Sequence, residues 1–153
     1  DVVIEFGMAD RVAVQSFDWR TLKIIQQLDP TIQTVYLSAQ QQWMDTIAGS
    51  AAAASPWTAG QKSADFDNVP QMVAAAGGAV WSPFYGDVTP GLIAEAKKLG
   101  LLVIPWTVND EELMRSLIEA GVDGLISDYP DRLRAVVLEK NMQAPPPANS
   151  ILN

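Results

Sequence analysis

Short apolar segments alternate along the chain with amphipathic ones. Each apolar segment is bounded by turn residues and lacks a clear alternation of apolar and polar positions. This pattern is typical of strands that are buried on both faces of a parallel sheet. We therefore predict five parallel strands, at residues 11–17, 34–39, 79–84, 101–108 and 124–129.

The segments between these strands have helical periodicity. In residues 18–29, Leu22, Ile25 and Leu28 follow at three-residue steps with Ile24 beside them, and they are predicted to lie on one face of a helix. The first eleven residues have the pattern of the end of a helix. Similar patterns predict helices over residues 69–78, 89–100, 109–121 and 129–140.

Residues that favour helix ends mark the boundaries of two of these helices. Thr89 is a predicted N-cap, because Pro90 follows it at the first helical position. Asn109 is a second predicted N-cap, since Glu112 lies three residues later in the spacing of a capping box. Glycines at positions 100 and 121 predict where the same two helices end.

The predicted strands recur at a short, regular interval. Val12 and Thr34 are 22 residues apart, and the steps from Ala79 to Leu102 and from Leu102 to Gly124 are 23 and 22 residues. This repeat of strand and helix predicts an α/β fold with about five βα units. The regular, short interval favours a (β/α)8 barrel over an open doubly wound sheet. A whole barrel needs about 250 residues, so this chain can hold roughly five of its eight units.

Two segments fall outside this repeat. The step from Thr34 to the next strand is about twice the usual interval, and residues 46–68 are rich in Ala, Ser, Pro and Gly. We predict that residues 46–68 are a loop inserted after the second strand. Residues 139–153 are rich in proline and are predicted to be a disordered tail.

Composition excludes several classes of function. The 153 residues carry a net charge of −8 without a cluster of Lys and Arg, which argues against nucleic acid as a partner. No apolar run approaches the roughly 20 residues of a membrane span. Cys and His are both absent, so the chain has no thiolate nucleophile and none of the usual acid–base residue of hydrolases.

Three motifs carry a family resemblance. The segments "VAVQSFDWRTL", "GGAVWSPFYGDVTPGLIAEAKKLGLLVIPWTVND" and "LIEAGVDGLISDYPDRL" together resemble the glycerophosphodiester phosphodiesterases. Their order and spacing are similar to those of the C-terminal part of that barrel, over residues 1–138. The resemblance implies a partial (β/α)8 barrel of the phosphodiesterase type.

The same resemblance implies a chemistry and a division of labour. Complete members hydrolyse glycerophosphodiesters to an alcohol and glycerol 3-phosphate with the help of a divalent metal, usually calcium or magnesium. The resemblance implies that a pair of histidines and the acidic metal ligands lie on the first three strands, which this chain lacks. The missing N-terminal half is therefore an expected partner, and neither catalytic residues nor metal ligands are expected here.

Candidate substrate-binding residues lie where the strands end, because active sites of such barrels form at the carboxyl ends of the strands. The resemblance assigns Trp106 to the substrate pocket, where its indole can pack on glycerol carbons or stack over a cationic headgroup. A place in the core at the top of the barrel is the alternative. The other predicted binding residues are Ser16, Phe17, Tyr85 and Asn109, and Ser38, Ser82, Phe84 and Asp128 end strands in the same way.

Several of these residues have equally plain structural interpretations. Asn109 can cap a helix instead of binding a ligand, and Asp128 can cap the last helix. Glu5 is expected to be an ordinary helix carboxylate, and Asp65 and Asp67 are expected to be solvated loop residues.

Two hypotheses for the whole chain remain open from the sequence. One is a phosphodiesterase fragment that supplies the pocket wall. The other is a non-catalytic half-barrel that binds ligands or other chains. Open sheet edges predict self-association of the isolated chain. Both the periplasm and the cytoplasm remain open as its location, with the periplasm preferred.

Overall fold

The computed structural model describes residues 2–48 and 53–144. It contains six strands, β1 Ala13–Ser16, β2 Gln33–Ser38, β3 Gln40–Gln41, β4 Met44–Asp45, β5 Val80–Pro83 and β6 Leu102–Val103. It contains six helices, α1 Val2–Glu5, α2 Trp19–Leu28, α3 Val69–Ala75, α4 Pro90–Lys98, α5 Glu111–Ala120 and α6 Pro130–Glu139. Short 3₁₀ turns lie at Ser63–Asp65 and Tyr85–Asp87.

Four strands form one parallel sheet in the order β1-β2-β5-β6. The register pairs Val14 with Thr34, Tyr36 with Trp81, and Trp81 with Val103. Each pair of neighbouring sheet strands is joined by a helical crossover, as parallel strands require. The predicted α/β fold with a parallel sheet is confirmed.

The fourth predicted strand is shorter than expected. Only Leu102–Val103 is regular, although Ile104 N still donates to Trp81 O at 3.0 Å and Trp106 N donates to Pro83 O at 3.0 Å. Residues 103 and 105 face the opposite neighbour, residues 123–126, and Pro105 has no N–H to donate to that side.

The prediction of a fifth regular strand at residues 124–129 is wrong. The segment follows β6 through irregular hydrogen bonds, from Asp123 N to Val103 O at 2.9 Å and from Ile126 N to Pro105 O at 2.9 Å. Val108 N then donates to Ile126 O at 2.8 Å. Without a donor at Pro105 the ladder on this side is uneven, so residues 123–126 lie beside β6 without forming a strand.

The hydrophobic core lies between the sheet and the helices on one of its faces. Trp19 packs edge-to-face on Tyr36 with ring centroids 5.1 Å apart. Trp19 Nε1 donates to Leu37 O, and Trp81 Nε1 donates to Ser38 Oγ. These bonds matter because a buried donor without an acceptor costs about 1–3 kcal/mol. The core is completed by side chains of α2 to α6, including Leu22, Met72, Ile93, Met114, Leu117 and Val136.

The apolar face predicted for α2 is only partly buried. Leu22 is fully buried and Ile25 is half-buried, but Ile24 is 54% and Leu28 75% exposed. Helix α2 packs on β1 and β2 at the end of the sheet. Within the described residues, nothing covers the side of α2 that carries Ile24 and Leu28.

The helix ends agree with the sequence in one case and differ in another. Thr89 caps α4 as predicted, because its Oγ1 accepts from Leu92 N. The predicted cap at Asn109 is wrong: Asp110 caps α5 by accepting from Leu113 N. Gly121 ends α5 with φ at +92°, a left-handed conformation that glycine adopts without a steric penalty.

The loop predicted at residues 46–68 is irregular where it is described, apart from the turn at Ser63–Asp65. An antiparallel hairpin of β3 and β4, which the sequence pattern does not predict, precedes it. Most of the predicted tail, residues 145–153, lies outside the described residues.

Candidate functional site

The register of the sheet decides which side chains at the ends of the strands lie on the same face. Residues on Tyr36's side of the sheet pack on the helices, whereas Gln15, Val35, Val80 and Leu102 belong to the opposite face. Side chains alternate along a strand. Phe17 follows Gln15 by two positions, and Phe84 pairs with Trp106 just beyond β5, so all three aromatic residues belong to the face opposite the helices.

Five aromatic side chains meet at the carboxyl ends of the strands, and we call them the aromatic strip. Trp106 contacts Phe17 and Phe84 edge-to-face, with centroid distances of 5.3 and 5.6 Å. Phe84 in turn contacts Trp43 at 5.2 Å and Tyr85 at 4.4 Å. The strip is therefore continuous from the end of β1 to the hairpin that follows β2.

Backbone hydrogen bonds hold the middle of the strip in place. Phe84 N donates to Ser38 O at 2.8 Å, and Tyr85 N donates to Trp106 O at 2.8 Å. Trp106 Nε1 donates to Ser82 O at 2.9 Å, which fixes the plane of the indole. The strip is thus built on the sheet rather than on a free loop.

Gly86 allows the ring of Phe84 to lie against the turn after β5. A Cβ at position 86 would come within 2.8 Å of Phe84 Cε1. Carbon atoms do not approach this closely, so any larger residue would displace the ring from Trp43 and Trp106.

The hairpin of β3 and β4 is tied to the same turn by Asp87. Gln40 N donates to Asp87 Oδ2 at 2.8 Å, and Gln41 Nε2 donates to Asp87 Oδ1 at 2.5 Å. These two hydrogen bonds hold the hairpin in a position where Trp43, at its tip, contacts Phe84. Trp43 is 62% exposed, which leaves most of its surface available to a ligand.

Sequence reasoning identifies most of the strip but misses Trp43. Phe17, Phe84, Tyr85 and Trp106 follow strands directly, so the strand pattern finds them. Trp43 lies in the polar segment "QQQWMD", which gives no strand signal. A large aromatic residue in such a polar segment was the one available sign of a binding surface.

Two predicted binding residues lie away from the strip. Ser16 is on the helix side of β1, and its Oγ accepts from Asp18 N at 3.0 Å at the start of α2. Asn109 Oδ1 accepts from Asp128 N at 3.0 Å and from Ser127 Oγ at 3.2 Å. The polar side-chain atoms of both residues thus bond to neighbouring segments and not to the aromatic strip.

Asp128 pairs with Asn109 and does not cap α6, contrary to one interpretation of the sequence. Asn109 Nδ2 donates to Asp128 Oδ2 at 2.9 Å, whereas α6 begins after Tyr129 without a side-chain cap. The pair joins the end of the β6 segment to residues 127–128. Its physical role is to hold together two segments that share no regular ladder.

The acidic groups near the site do not form a metal centre. Glu5 lies in α1 and is exposed. Hydrogen bonds from Arg20 keep the pKa of Asp18 below its usual range. Among residues 2–48 and 53–144, no three His, Cys, Asp or Glu side chains are grouped so that they could hold a metal ion. The residues described therefore do not fit the divalent metal that the family resemblance implies.

A separate apolar groove of about 610 Å³ lies at the β6 end of the sheet. It is lined by the segment beside β6, by α5 and α6, and by the residues after α6, including Ile118, Val122, Leu125, Leu133, Val137 and Met142. It contains no member of the aromatic strip. The groove and the strip are therefore two distinct features.

A parallel sheet with helices on one face and the aromatic strip at the carboxyl ends of its strands is typical of a barrel-type α/β protein. The model of the glycerophosphoryl diester phosphodiesterase family matches residues 1–132. The chain belongs to this family, as the sequence motifs predict.

Curated relatives and solved structures agree with this assignment. The glycerophosphodiester phosphodiesterase of Bacillus subtilis (strain 168) is 28% identical over 126 residues, which are 82% of this chain and 36% of the relative. A Silicibacter pomeroyi DSS-3 protein assigned to the glycerophosphoryl diester phosphodiesterases is 34% identical, with a TM-score of 0.75, over 94% of this chain and 43% of that one.

A third neighbour supports the fold alone. A glycerophosphodiester phosphodiesterase from Parabacteroides distasonis ATCC 8503 has a TM-score of 0.67 at 20% identity, over 92% of this chain and 48% of that one. The chain thus spans less than half the length of these three relatives. Within its described part, no helix is both long and apolar enough to cross a membrane.

Proposed function

We propose that this chain is the C-terminal part of a glycerophosphodiester phosphodiesterase barrel and that it supplies the wall of the substrate pocket. The observation that carries the proposal is the aromatic strip at the carboxyl ends of the strands, in a chain of this family. Phe17, Tyr85 and Trp106 pack on the carbons of the substrate. Ser16 and Asn109 position the segments around them. The histidines and the metal ligands belong to the remainder of the barrel.

Open surfaces at both ends of the sheet support a missing remainder. At the β1 end, Ile24 and Leu28 of α2 are exposed. At the β6 end, the apolar groove runs along residues that lack a neighbouring strand. On the face opposite the helices, Leu102 is 42% exposed. Strands and helices of an N-terminal half would cover all three surfaces.

The reaction we propose is hydrolysis of a glycerophosphodiester to an alcohol and glycerol 3-phosphate. A phosphodiesterase of Oleispira antarctica was solved with sn-glycerol-3-phosphate as its product, and this chain matches it with a TM-score of 0.58. A pocket wall contributes binding energy that is nearly equal in the ground state and the transition state. The strip therefore acts mainly on substrate affinity.

A chimera tests this proposal. The chain replaces the matching part of the Silicibacter pomeroyi protein, and release of glycerol 3-phosphate is measured with and without calcium or magnesium. We expect metal-dependent hydrolysis by the chimera and none by the isolated chain. A chimera that unfolds cooperatively but is inactive would contradict the proposal, and so would hydrolysis by the isolated chain.

A non-catalytic binding module is the second candidate. It is favoured by the absence of His from the sequence and of any metal-binding group from the described residues. The same chimera separates the two candidates, because a module that has lost catalysis would give a folded chimera without turnover.

A further inference from the structure

We infer that the β3–β4 hairpin is part of the substrate pocket and that Asp87 is its positioning residue. Asp87 holds the hairpin so that the indole of Trp43 extends the pocket wall beyond Phe84. This inference rests on the proposed function for the identity of the ligand. It goes further, because it adds Trp43 to the residues that contact the substrate and gives Asp87 an effect on affinity that is exerted through Trp43.

The hairpin places Trp43 at the outer end of the aromatic strip. Its ring meets Phe84 edge-to-face at a centroid distance of 5.2 Å, and Phe84 meets Trp106 at 5.6 Å. Trp43 is 62% exposed, whereas Phe84 and Trp106 are half-buried. An exposed ring of this size contributes binding energy when a ligand covers it. The indole therefore continues the surface that the other members of the strip offer to the substrate.

The hairpin needs an outside contact to keep Trp43 in this place. Two residue pairs between β3 and β4 and the hydrogen bonds between Ala39 and Thr46 hold the hairpin together. All of these bonds lie within residues 39–46, so none of them reaches the turn after β5 that carries Phe84. A hairpin with so few pairs is marginally stable by itself.

Asp87 supplies the link between the hairpin and that turn. Its Oδ2 accepts from Gln40 N at 2.8 Å and its Oδ1 from Gln41 Nε2 at 2.5 Å. Hydrogen bonds to a carboxylate are charge-assisted and stronger than those between neutral groups. Asp87 N donates to Phe84 O at 3.0 Å, so the same residue is also bound to the backbone of the ring on which Trp43 packs. Both carboxylate oxygens bond to the hairpin, and Asp87 acts on the ligand through it.

A double-mutant cycle in the chimera tests the inference, with glycerophosphoglycerol as the substrate. We expect Trp43→Ala and Asp87→Ala each to raise KM about fivefold with little change in kcat, because both remove the same part of the pocket wall. The double variant should raise KM no further than Trp43→Ala alone, since residues that act as one unit are not additive. A purely structural effect of Asp87→Ala would instead multiply with the loss of Trp43.

Three further variants complete the design. Asp87→Asn should keep KM within about twofold of the parent, because its amide oxygen still accepts from Gln40 N. Asp29→Ala is the matched control and should leave KM unchanged, because Asp29 likewise accepts from a backbone N–H and a side chain, both of Thr31, but lies before β2 at the opposite end of the sheet. Gln41→Ala removes one of the two bonds to Asp87 and should raise KM about twofold. It replaces Asp87→Ala in the cycle if that variant does not fold.

An unchanged KM in Trp43→Ala would overturn the inference and leave the proposed function intact, as would effects of the two substitutions that multiply. A chimera that folds without turnover contradicts the proposed function, and the cycle is then measured as the Kd of glycerophosphoglycerol by calorimetry. Coupled losses of affinity in that chimera would support the inference alone. A folded chimera that does not bind this ligand would overturn both.

Discussion

At the scale of single residues, Trp106 joins two kinds of interaction. Its indole N–H donates a hydrogen bond to Ser82 O, and its ring packs against Phe17 and Phe84. The hydrogen bond stabilises the fold, whereas under the proposed function the ring surface contacts the substrate. Comparing a substitution that keeps an aromatic ring at position 106 with one that removes it therefore separates the two roles.

Trp106→Ala in the chimera tests the pocket role. We expect KM for a glycerophosphodiester to rise about tenfold with little change in kcat, because a wall residue supplies binding that is common to ground and transition states. Trp106→Phe should restore most of the affinity. Loss of kcat in a variant that keeps the parent's thermal stability would contradict a role confined to binding.

Asn109→Asp tests the pairing with Asp128. The substitution places two carboxylates where an amide now donates at 2.9 Å, so we expect the variant to be less stable than the parent at pH 7. High salt should reduce this difference, because it screens the repulsion between the two charges. Thermal unfolding at low and high salt provides the measurement, and equal stability of variant and parent in low salt would refute the repulsion.

At the scale of elements, a few side-chain contacts hold the β3–β4 hairpin and helix α6 in place. The hairpin of β3 and β4 has only two residue pairs of its own, Gln40–Asp45 and Gln41–Met44. An isolated hairpin of this size is marginally stable in water. Hydrogen bonds between Ala39 and Thr46 close its base, and Asp87 and the contact between Trp43 and Phe84 hold it against the turn after β5.

Asp87→Ala should release the hairpin. We expect hydrogen exchange at the Gln40 amide to accelerate, by about tenfold if the lost bonds contributed roughly 1.4 kcal/mol. Asp87→Asn is the matched control, because its amide oxygen still accepts from Gln40 N. Unchanged protection of Gln40 in Asp87→Ala would mean that Asp87 is not needed to hold the hairpin.

The last two helices are joined by an ion cluster around Arg115. Arg115 donates to Glu139 of α6 at 3.0–3.2 Å and also pairs with Glu111 and Glu112 of its own helix. Hydrogen bonds from Arg115 lower the pKa of Glu139. A carboxylate with a lowered pKa in the folded state stabilises the fold above its unfolded pKa of about 4.3, and this contribution disappears as the pH falls through the folded value.

Arg115→Gln should therefore lower the stability at neutral pH but not at strongly acid pH. The difference in unfolding temperature between parent and variant is expected to shrink as the pH falls below about 4.3, where Glu139 becomes protonated. Calorimetry over that range is the measurement. High salt should also reduce the difference at neutral pH, because the Glu139 side chain is 52% exposed and its charge is screened by ions.

At the scale of the whole molecule, the most prominent feature is the apolar surface exposed at the two ends of the sheet. The apolar groove at one end and Ile24 and Leu28 at the other end have no cover within the described residues. Apolar patches of this kind associate with a partner or with further copies of the chain. Under the proposed function, the rest of a barrel is the partner that would cover them.

The isolated chain is expected to self-associate through these ends. Leu28→Lys and Met142→Lys place a charge at each end on residues that are 75% and 47% exposed, so folding should be preserved. We expect light scattering to give a smaller average mass for the double variant than for the parent. Leu99→Lys, at the end of α4, is the control and should leave the mass unchanged. A parent chain that is monomeric at all concentrations would refute the prediction.

Local signals in the sequence determined the order of strands and helices and several of their ends. Thr89 before Pro90 and Gly121 after α5 act within one helical turn, so their effect is visible without a fold. The apolar runs of β1, β2 and β5 are similarly self-contained. The three motifs also carried the family, because their order along the chain is a property of the sequence itself.

Tertiary structure alone decided which of these residues meet. Trp43 reaches Phe84 because Asp87 holds the hairpin, and Asn109 binds Asp128 instead of capping α5. The segment after α5 stays irregular because Pro105 cannot donate a hydrogen bond to it. The burial of α2 likewise depends on what packs beside it. These outcomes depend on contacts between distant parts of the chain, and the periodicity of a single segment contains no information about its partner.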